Sequence, residues 1–328
     1  MSGKAAFDRK LEELRALRSD PASPEALTLL RKALGDRSNF VVSKAAALAE
    51  ELGLRDLLPD LLKAYDRFFQ DPVKTDPQCW AKNAIAKALL TLEFEGPEAY
   101  IRGHRYVQPE PTWGGTEDSA TTLRATCLLG LVQNSKLSSF DLLELLVDCF
   151  NDPATGVRVE VARAIGLLGK AEGALILRMK VQGGDAEASV IGACFASLLH
   201  LQRGGAVSFV ARYLDEAEYQ FEAAVALGET REAESVEALT ACWRRARDRQ
   251  FKRAVLISLG ASRQDSAVEW LIKLIEEGTI QQALEAVEAL APNLYHDDTV
   301  QQVRRAVEAR ENGDLAEAFR KQLHATGR

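Results

Sequence analysis

The sequence has few cysteines, and they are not clustered. Five cysteines lie far apart in the 328 residues, with no pair at C-x-x-C spacing: Cys79, Cys127, Cys149, Cys194 and Cys242. A scattered, odd-numbered set argues against a disulfide framework and against a zinc site of the usual spacing. Most of these cysteines fall inside apolar helical patterns, so we expect small buried thiols in a reducing cytosol.

Long apolar segments are also missing. No apolar run approaches the roughly 20 residues that a membrane-spanning helix needs. The first twenty residues are charged and amphipathic and lack the apolar centre of a signal peptide. We therefore expect a soluble, cytoplasmic protein without membrane contact.

Positive charge is not in excess. The chain carries 41 basic and 48 acidic residues, for a net charge of −7. Proteins that bind nucleic acids usually show a basic footprint, so this balance argues against that role.

Familiar catalytic and metal-binding motifs are absent as well. The four histidines are widely separated, at His104, His200, His296 and His324. No H-E-x-x-H, G-x-S-x-G, phosphate-binding loop or dinucleotide fingerprint occurs. We expect no catalytic residue, no metal ion and no cofactor, and therefore a protein that is not an enzyme.

What the chain does contain is a repeated helical pattern. In residues 152–169, Val157, Val161, Ile165 and Leu168 are spaced by four, four and three residues, which places them on one helix face. Residues 36–53 and 76–93 repeat these offsets. Gly169 ends the first of these segments, where a left-handed residue is favoured.

The turn followed by V-R-x-x-[VA]-A resembles the second helix of HEAT repeats, specifically the short bacterial kind. The resemblance covers nearly the whole chain and implies an all-α fold. This is a right-handed α-solenoid of stacked antiparallel helix pairs, with about 16–18 helices. HEAT repeats occur in proteins of many functions, so the resemblance transfers architecture and little else.

We predict one solenoid domain over residues 1–328. An N-terminal capping helix lies within residues 1–20, over about 4–18, and a turn at 19–24 begins the next helix. Longer repeats follow over 21–203. Shorter repeats of about 31 residues and a C-terminal cap follow over 204–328. Strands should be nearly absent, because no sustained alternation of apolar and polar residues occurs.

An insertion at residues 103–119 interrupts the repeats. It holds two prolines and three glycines, and it offers His104, Arg105, Tyr106 and Trp113 for binding. Long solenoid loops often bind partners, and Trp, Tyr and Arg are enriched at binding hot spots. We hypothesise that this loop rims a partner-binding groove. In the alternative, Trp113 packs under the loop and pins it to neighbouring helices.

Residues 243–253 form a basic segment, in which six of eleven residues are basic. Trp243, Arg244 and Arg245 are candidate contacts here. One interpretation is a phosphate-binding patch, as in HEAT-like DNA-repair glycosylases. The other is a solvated rim that complements helix C-terminal dipoles and the acidic residues between 215 and 237.

A third feature is a set of cations near the starts of second helices, namely Lys44, Lys82, Arg124, Arg158 and Lys252. They could form a ladder for an acidic partner, and Arg124 and Arg158 are our candidate contacts. Alternatively, each pairs with a turn carboxylate of its own or the next repeat: Asp36, Asp76, Asp118 or Asp152. We favour the interpretation in which each cation pairs with a turn carboxylate.

The features together predict a non-enzymatic interaction scaffold. Its second helices would line a concave surface that binds a protein or peptide partner, which the sequence does not identify. Two alternatives come from the HEAT resemblance. One is a nucleic-acid-binding or DNA-repair glycosylase-type protein. The other is a protein similar to the bilin lyases that attach chromophores to phycobiliproteins.

Overall fold

The computed structural model describes residues 3–17 and 24–325. Over this part of the chain, twenty α-helices and one two-stranded hairpin make up the regular structure, apart from short 3-10 turns. They form two compact units, the first ending at Leu168 and the second beginning at Gly169. Most of the turn predicted at 19–24 lies outside the described residues. The single domain with a change of repeat type at residue 204 stays a prediction.

Unit 1 contains ten helices and the hairpin: α1 Gly3–Ala16, α2 Pro24–Leu34, α3 Asn39–Glu51, α4 Leu58–Arg67, α5 Pro72–Thr75, α6 Trp80–Thr91, α7 Pro97–Gly103, β1 Pro109–Thr112, β2 Gly115–Asp118, α8 Thr121–Asn134, α9 Ser139–Cys149 and α10 Thr155–Leu168. The second helices form one layer, in which α3 packs on α6, α6 on α8 and α8 on α10. In the sequence, the hairpin lies between α7 and α8, which are the two helices of the third pair.

Unit 2 contains the remaining ten helices: α11 Ala171–Gly183, α12 Ala188–Gln202, α13 Gly204–Ala211, α14 Gln220–Gly228, α15 Ala233–Arg245, α16 Arg249–Ala261, α17 Asp265–Glu277, α18 Ile280–Ala289, α19 Asp297–Glu308 and α20 Gly313–Ala325. Its second helices, α12, α14, α16, α18 and α20, pack in chain order as one layer. Helices α13, α15, α17 and α19 pack in the same order as the other layer.

The predicted all-α solenoid is confirmed, since each unit is a stack of helix pairs in which a helix packs mainly on its nearest counterparts. The helices outnumber the predicted 16–18, in part because the connection between α4 and α6 contains the four-residue helix α5. Two four-residue strands are the only β-structure in the described ranges. No helix in those ranges has both the length and the apolar character to cross a membrane.

The predicted apolar stripes are buried. In α10, Val157, Val161 and Ile165 are almost completely inaccessible to solvent. Gly169, which follows this helix, has a φ of 70°, as the end of the pattern predicts. The periodic pattern therefore identified the buried face of the helix and the residue that ends it.

Arginines from later repeats cap the ends of earlier helices. Arg67 of α4 donates to the carbonyl oxygens of Leu34 and Asp36, at 3.0 and 2.9 Å, where α2 ends. In unit 2, Arg310 donates to three carbonyl oxygens at the end of α17, those of residues 275, 276 and 278. A guanidinium satisfies several terminal carbonyls at once, which fixes one repeat against the next.

All five cysteines are buried free thiols, as predicted. Burial raises the pKa of Cys79 to about 11 and those of Cys127 and Cys194 to about 12. A thiol with such a pKa stays protonated near neutral pH and is a poor nucleophile.

Candidate functional site: a hairpin on a polar network

The insertion folds as a β-hairpin. Strands β1 and β2 are antiparallel, with Pro109 opposite Asp118 and Thr112 opposite Gly115. Trp113 and Gly114 form the two-residue turn, where Gly114 has a φ of 94°. Because other residues rarely adopt that angle, the glycine makes this tight turn possible.

Trp113 at the tip of the hairpin is fully exposed, with 105% of its reference accessible surface. The residues that follow it, Gly115 to Glu117, are also exposed. The alternative in which Trp113 packs under the loop is therefore wrong. A large aromatic side chain is thus fully exposed to solvent at the turn of the two-stranded hairpin.

Gln108 connects the base of the hairpin to the helices. Its side chain is buried and uses its full hydrogen-bonding capacity. The amide nitrogen donates to the backbone oxygen of Asp76 at 2.8 Å and to the Glu110 carboxylate at 2.6 Å. The amide oxygen accepts from Cys79 Sγ and from the Tyr106 hydroxyl. This arrangement fixes the start of β1 against the turn that precedes α6.

Next to Gln108, Asp76 and Lys82 form an ion pair from which solvent is excluded. Lys82 Nζ lies 2.9 Å from Asp76 Oδ2, and both side chains are 0% exposed. The Lys82 ammonium also donates to the Phe68 carbonyl oxygen and lies 5.5 Å from the centre of the Tyr106 ring. Asp76 in turn accepts from the backbone N–H groups of residues 81 and 82 at the start of α6. Each charge therefore has several partners, as a buried charge requires.

The other strand, β2, is anchored by Arg124 of α8, whose side chain binds two carboxylates. Its guanidinium binds Asp152 through two hydrogen bonds and Asp118 through one, and it donates to the Tyr106 carbonyl oxygen at 2.9 Å. Only 1% of this side chain is exposed. Arg124 thus ties the end of β2 to the turn before α10. We call Asp76, Lys82, Gln108, Asp118, Arg124 and Asp152 the polar network.

The carboxylates at the base of the hairpin stay ionised. Burial alone would raise the pKa of Asp118, but the N–H groups of Gln108 and Ala120 and the Arg124 guanidinium lower it overall. Burial opposes ionisation of Glu110 in the same way, and hydrogen bonds from Ser119, Gln108 and Gln78 lower its pKa. Both strands are therefore anchored by charge-assisted hydrogen bonds at neutral pH.

The backbone is strained in the turn before α6, which contacts the base of the hairpin. Gln78 and Cys79 are consecutive non-glycine residues with φ values of 60° and 55°. The Gln78 N–H donates to Glu110 at 2.6 Å, so the strained turn contacts β1 directly. Residues in this region of φ cost free energy and persist where their surroundings hold them in place.

Of the other residues predicted in the insertion, none lies at the tip. His104 is buried, and Arg105 is partly exposed and pairs with Asp148 at 2.5 Å. The Tyr106 ring packs edge-on against Phe69, with a ring-centre distance of 4.7 Å. These three residues precede the hairpin in the chain, and Tyr106 contacts its base by donating to the Gln108 side chain. A role of His104 and Arg105 in binding a partner stays a prediction.

The structure pairs two of the repeat-start cations with turn carboxylates, which is the interpretation that the sequence favoured. Lys82 pairs with Asp76, and Arg124 pairs with Asp118 of its own repeat and Asp152 of the next. Arg158 donates to the backbone oxygen of Asp152 at 2.8 Å. The remaining two lie by aromatic rings, Lys44 over Phe40 and Lys252 over Trp243.

The basic segment at 243–253 lies in unit 2, where ion pairs neutralise part of its charge. Arg245 makes two hydrogen bonds to Asp215, and Arg253 makes two to Glu288. Trp243 is buried with its Nε1 unpaired, while Arg244 is exposed. These pairs reduce the positive charge that a phosphate backbone would meet.

Sequence reasoning missed Gln108 and the role of the Asp76–Lys82 pair. Gln108 follows no helical periodicity, and only its partners at residues 76, 79 and 110 reveal its function. Asp76 was recognised as a turn residue, but the burial of both charges depends on packing. Within the described ranges, no group of three or more His, Cys, Asp or Glu side chains could hold a metal ion.

Comparison with known proteins shows likenesses among solved structures. No protein-family model matches the sequence, and no curated protein does. One similar structure is the complex of CpcE and CpcF of phycocyanin lyase from Nostoc sp. PCC7120. It is 19% identical, with a TM-score of 0.37, and the match covers 72% of this chain and 91% of that one. Another is human deoxyhypusine hydroxylase in complex with glycerol. It is also 19% identical, with a TM-score of 0.30, and the match covers 80% and 91% of the two chains.

These comparisons correct one expectation. Both similar structures bear the names of catalytic proteins, a lyase and a hydroxylase, which contradicts the prediction that the chain is not an enzyme. We no longer hold that prediction. At this level of similarity the likeness concerns the helical-repeat fold, and it assigns no reaction to this chain.

Proposed function

We propose that this chain is a HEAT-like repeat protein that binds a protein partner through the hairpin of residues 109–118, with Trp113 as the central contact. The single observation that carries the proposal is the complete exposure of Trp113 at the tip of a hairpin whose base is fixed by the polar network.

The energetics support a binding role for Trp113. A tryptophan buries about 150–250 Å² when it is covered. At about 25 cal/mol per Å², this corresponds to a gross gain of roughly 4–6 kcal/mol on binding. Within this chain the side chain gains none of that burial, because it projects into solvent. A partner with a pocket for the ring would supply it, and Trp is among the residues most enriched at such hot spots.

The polar network makes the contact rigid. A two-stranded hairpin alone is only marginally stable in water. Here Gln108 holds the start of β1, and Arg124 holds the end of β2 through Asp118. A contact that is already ordered loses less entropy on binding than a flexible loop does. The buried Arg124 therefore serves the site by positioning it, and Trp113 makes the contact.

The other candidate contacts lie outside the hairpin. Arg158 of unit 1 and the unit 2 residues Trp243, Arg244 and Arg245 stay predictions, as does a concave partner surface lined by second helices. For the nucleic-acid alternative, the pairing of Arg245 with Asp215 and of Arg253 with Glu288 leaves less free positive charge than the sequence suggested.

Site-specific cross-linking tests the proposal. The photoreactive amino acid p-benzoylphenylalanine replaces Trp113 in one sample and Phe140 in another. Phe140 is a matched control, because it is an exposed aromatic residue of unit 1 that belongs to α9 and not to the hairpin. We expect one protein to be captured in cell lysate from position 113 and not from position 140.

Affinity for the captured protein, once purified, provides the decisive measurement. Trp113→Ala should weaken binding by more than about tenfold, as expected for a hot-spot residue. Phe140→Ala should leave the affinity unchanged. Equal affinities for the wild type and Trp113→Ala would refute the proposal.

A further inference from the structure

The two edges of the hairpin differ in what they offer a further strand. In an antiparallel pair, alternate residues direct their N–H and C=O groups toward the partner strand and away from it. The pair that closes a two-residue turn, Thr112 and Gly115, is hydrogen-bonded. Pro109 and Pro111 are therefore at the positions whose backbone groups point away from β2. This fits their chemistry, because proline has no N–H to donate across the hairpin.

The outer edge of β1 consequently lacks donors at both of its outward positions. The residues opposite the prolines are Thr116 and Asp118 in β2. By the same alternation, their N–H and C=O groups point away from β1. The outer edge of β2 thus retains both donors and acceptors, and Thr116 is exposed there. A further strand can pair with this hairpin along β2 and is blocked along β1.

The charge of the hairpin restricts which strand fits. Residues 109–118 contain three carboxylates and no basic residue. Glu110 and Asp118 are held by hydrogen bonds at the base, whereas Glu117 is exposed and has no ion-pair partner among the described residues. Opposite charges on facing strand residues stabilise a sheet, and like charges destabilise it. A second copy of β2 would bring its own Glu117 and is disfavoured on this ground.

We propose that the outer edge of β2 binds an extended, basic segment of the partner protein as a third strand, beside Trp113. This deepens the proposed function and rests on it. Backbone hydrogen bonds to Thr116 would supply the affinity, and a lysine or arginine near Glu117 would supply the preference for basic segments.

The test uses a fluorescein-labelled peptide of eight residues, in which lysine alternates with valine and threonine. We expect it to bind the wild-type protein at least tenfold more tightly than the same peptide with glutamate in place of lysine. Thr116→Pro should reduce binding at least tenfold, because it removes the outward N–H. Thr116→Val is the matched control: it keeps the N–H and should bind the peptide as the wild type does.

A modified peptide provides a second test that does not depend on whether the proline variant folds. N-methylation of alternate residues removes the donors from one edge of the peptide without altering the protein, and it should abolish binding for one of the two methylation patterns. Equal affinity of the lysine and glutamate peptides, or of the methylated and unmethylated ones, would overturn the proposal. So would a dimer of this chain that Thr116→Pro dissociates, because the edge would then bind a second copy.

The two proposals fail in distinguishable ways. If Thr116→Pro binds the partner captured through position 113 as tightly as the wild type does, the added strand is wrong and the hairpin contact stands. If Trp113→Ala retains full affinity for that partner, the hairpin contact itself is wrong. Hydrogen exchange gives an independent reading, since an added strand should protect the amide of Thr116.

Discussion

Lys82 and Asp76 form an ion pair that solvent does not reach, with 2.9 Å between Nζ and Oδ2. The pair lies directly beneath the hairpin, since Gln108 donates to the backbone oxygen of Asp76. A buried pair of this kind contributes little net stability compared with well-packed apolar residues, but breaking it leaves an uncompensated charge. Its role here is to place the turn before α6 so that the hairpin has a fixed base.

Replacing Lys82 with methionine should destabilise unit 1 by about 3–5 kcal/mol, because the Asp76 carboxylate would be left buried without its cation. Lys87→Met is the matched control on the same helix: Lys87 pairs with Glu50 at 3.1 Å and is 67% exposed, so its removal should cost no more than about 1 kcal/mol. Native-state hydrogen exchange of the α6 amides measures both changes. Similar losses for the two variants would show that the buried pair has no special role.

Trp113 should dominate the solvent-exposed tryptophan fluorescence. It is fully exposed, whereas Trp80 is 45% exposed, Trp243 is 8% exposed and Trp270 is partly buried. Trp113→Phe should therefore shift the remaining emission to shorter wavelength and reduce quenching by acrylamide. The free energy of unfolding should change by less than about 0.5 kcal/mol, because the ring makes no packing contact. Unchanged quenching would mean that the ring is covered in solution.

Stability should fall as the pH is lowered through the range just below 6.5, because of His104. Burial lowers the pKa of this imidazole from its ordinary value of 6.5, and Arg105 lowers it further, whereas Asp148 and the Ile101 carbonyl oppose the shift. Below pH 6.5 the unfolded chain binds a proton that the folded protein does not, so acid favours unfolding. The slope should not exceed about 1.4 kcal/mol per pH unit for this one group.

His104→Asn isolates this contribution. Asparagine can replace the ring Nδ1, which lies 2.6 Å from the Ile101 carbonyl oxygen, and it does not titrate. The melting temperature of this variant should depend less on pH between 5 and 6.5 than that of the wild type. An unchanged pH dependence of the melting temperature in His104→Asn would show that this imidazole is not responsible for the slope. The carboxyls with lowered pKa, Glu110 and Asp118, lose their contribution to stability at lower pH, as the pH falls through their ordinary pKa values of 4.5 and 3.8.

Gly260 marks a close approach of two helices in unit 2. A Cβ at this position would lie 1.8 Å from the backbone oxygen of Ala289 in α18. Gly260→Ala should therefore destabilise unit 2 by about 1–3 kcal/mol or more, because the backbone must shift. Gly205→Ala, whose Cβ would meet nothing closer than 3.9 Å, should be neutral or slightly stabilising. Thermal unfolding of both variants provides the comparison, and equal melting temperatures would contradict the predicted contact.

Some features of the site could be predicted and others could not. The insertion and its exposed aromatic candidate, Trp113, were recognised because they break a regular pattern. The hairpin was not, since Pro109, Pro111 and two adjacent glycines interrupt the alternation by which strands are identified. Arg124 and Lys82 were recognised as cations at repeat starts, but a single sequence cannot distinguish a buried cation from one that faces a partner.

The sequence by itself determined most of the helices, their order and their buried faces, because apolar spacing within a helix is a local property of the chain. The apolar stripe of α10 and the left-handed Gly169 after it are examples. Only the tertiary structure decided that Gln108 bonds to Asp76, 32 residues away, and that Arg124 reaches Asp152, 28 residues away. Those contacts depend on how neighbouring helices pack. They convert an irregular loop into a rigid projection that carries Trp113.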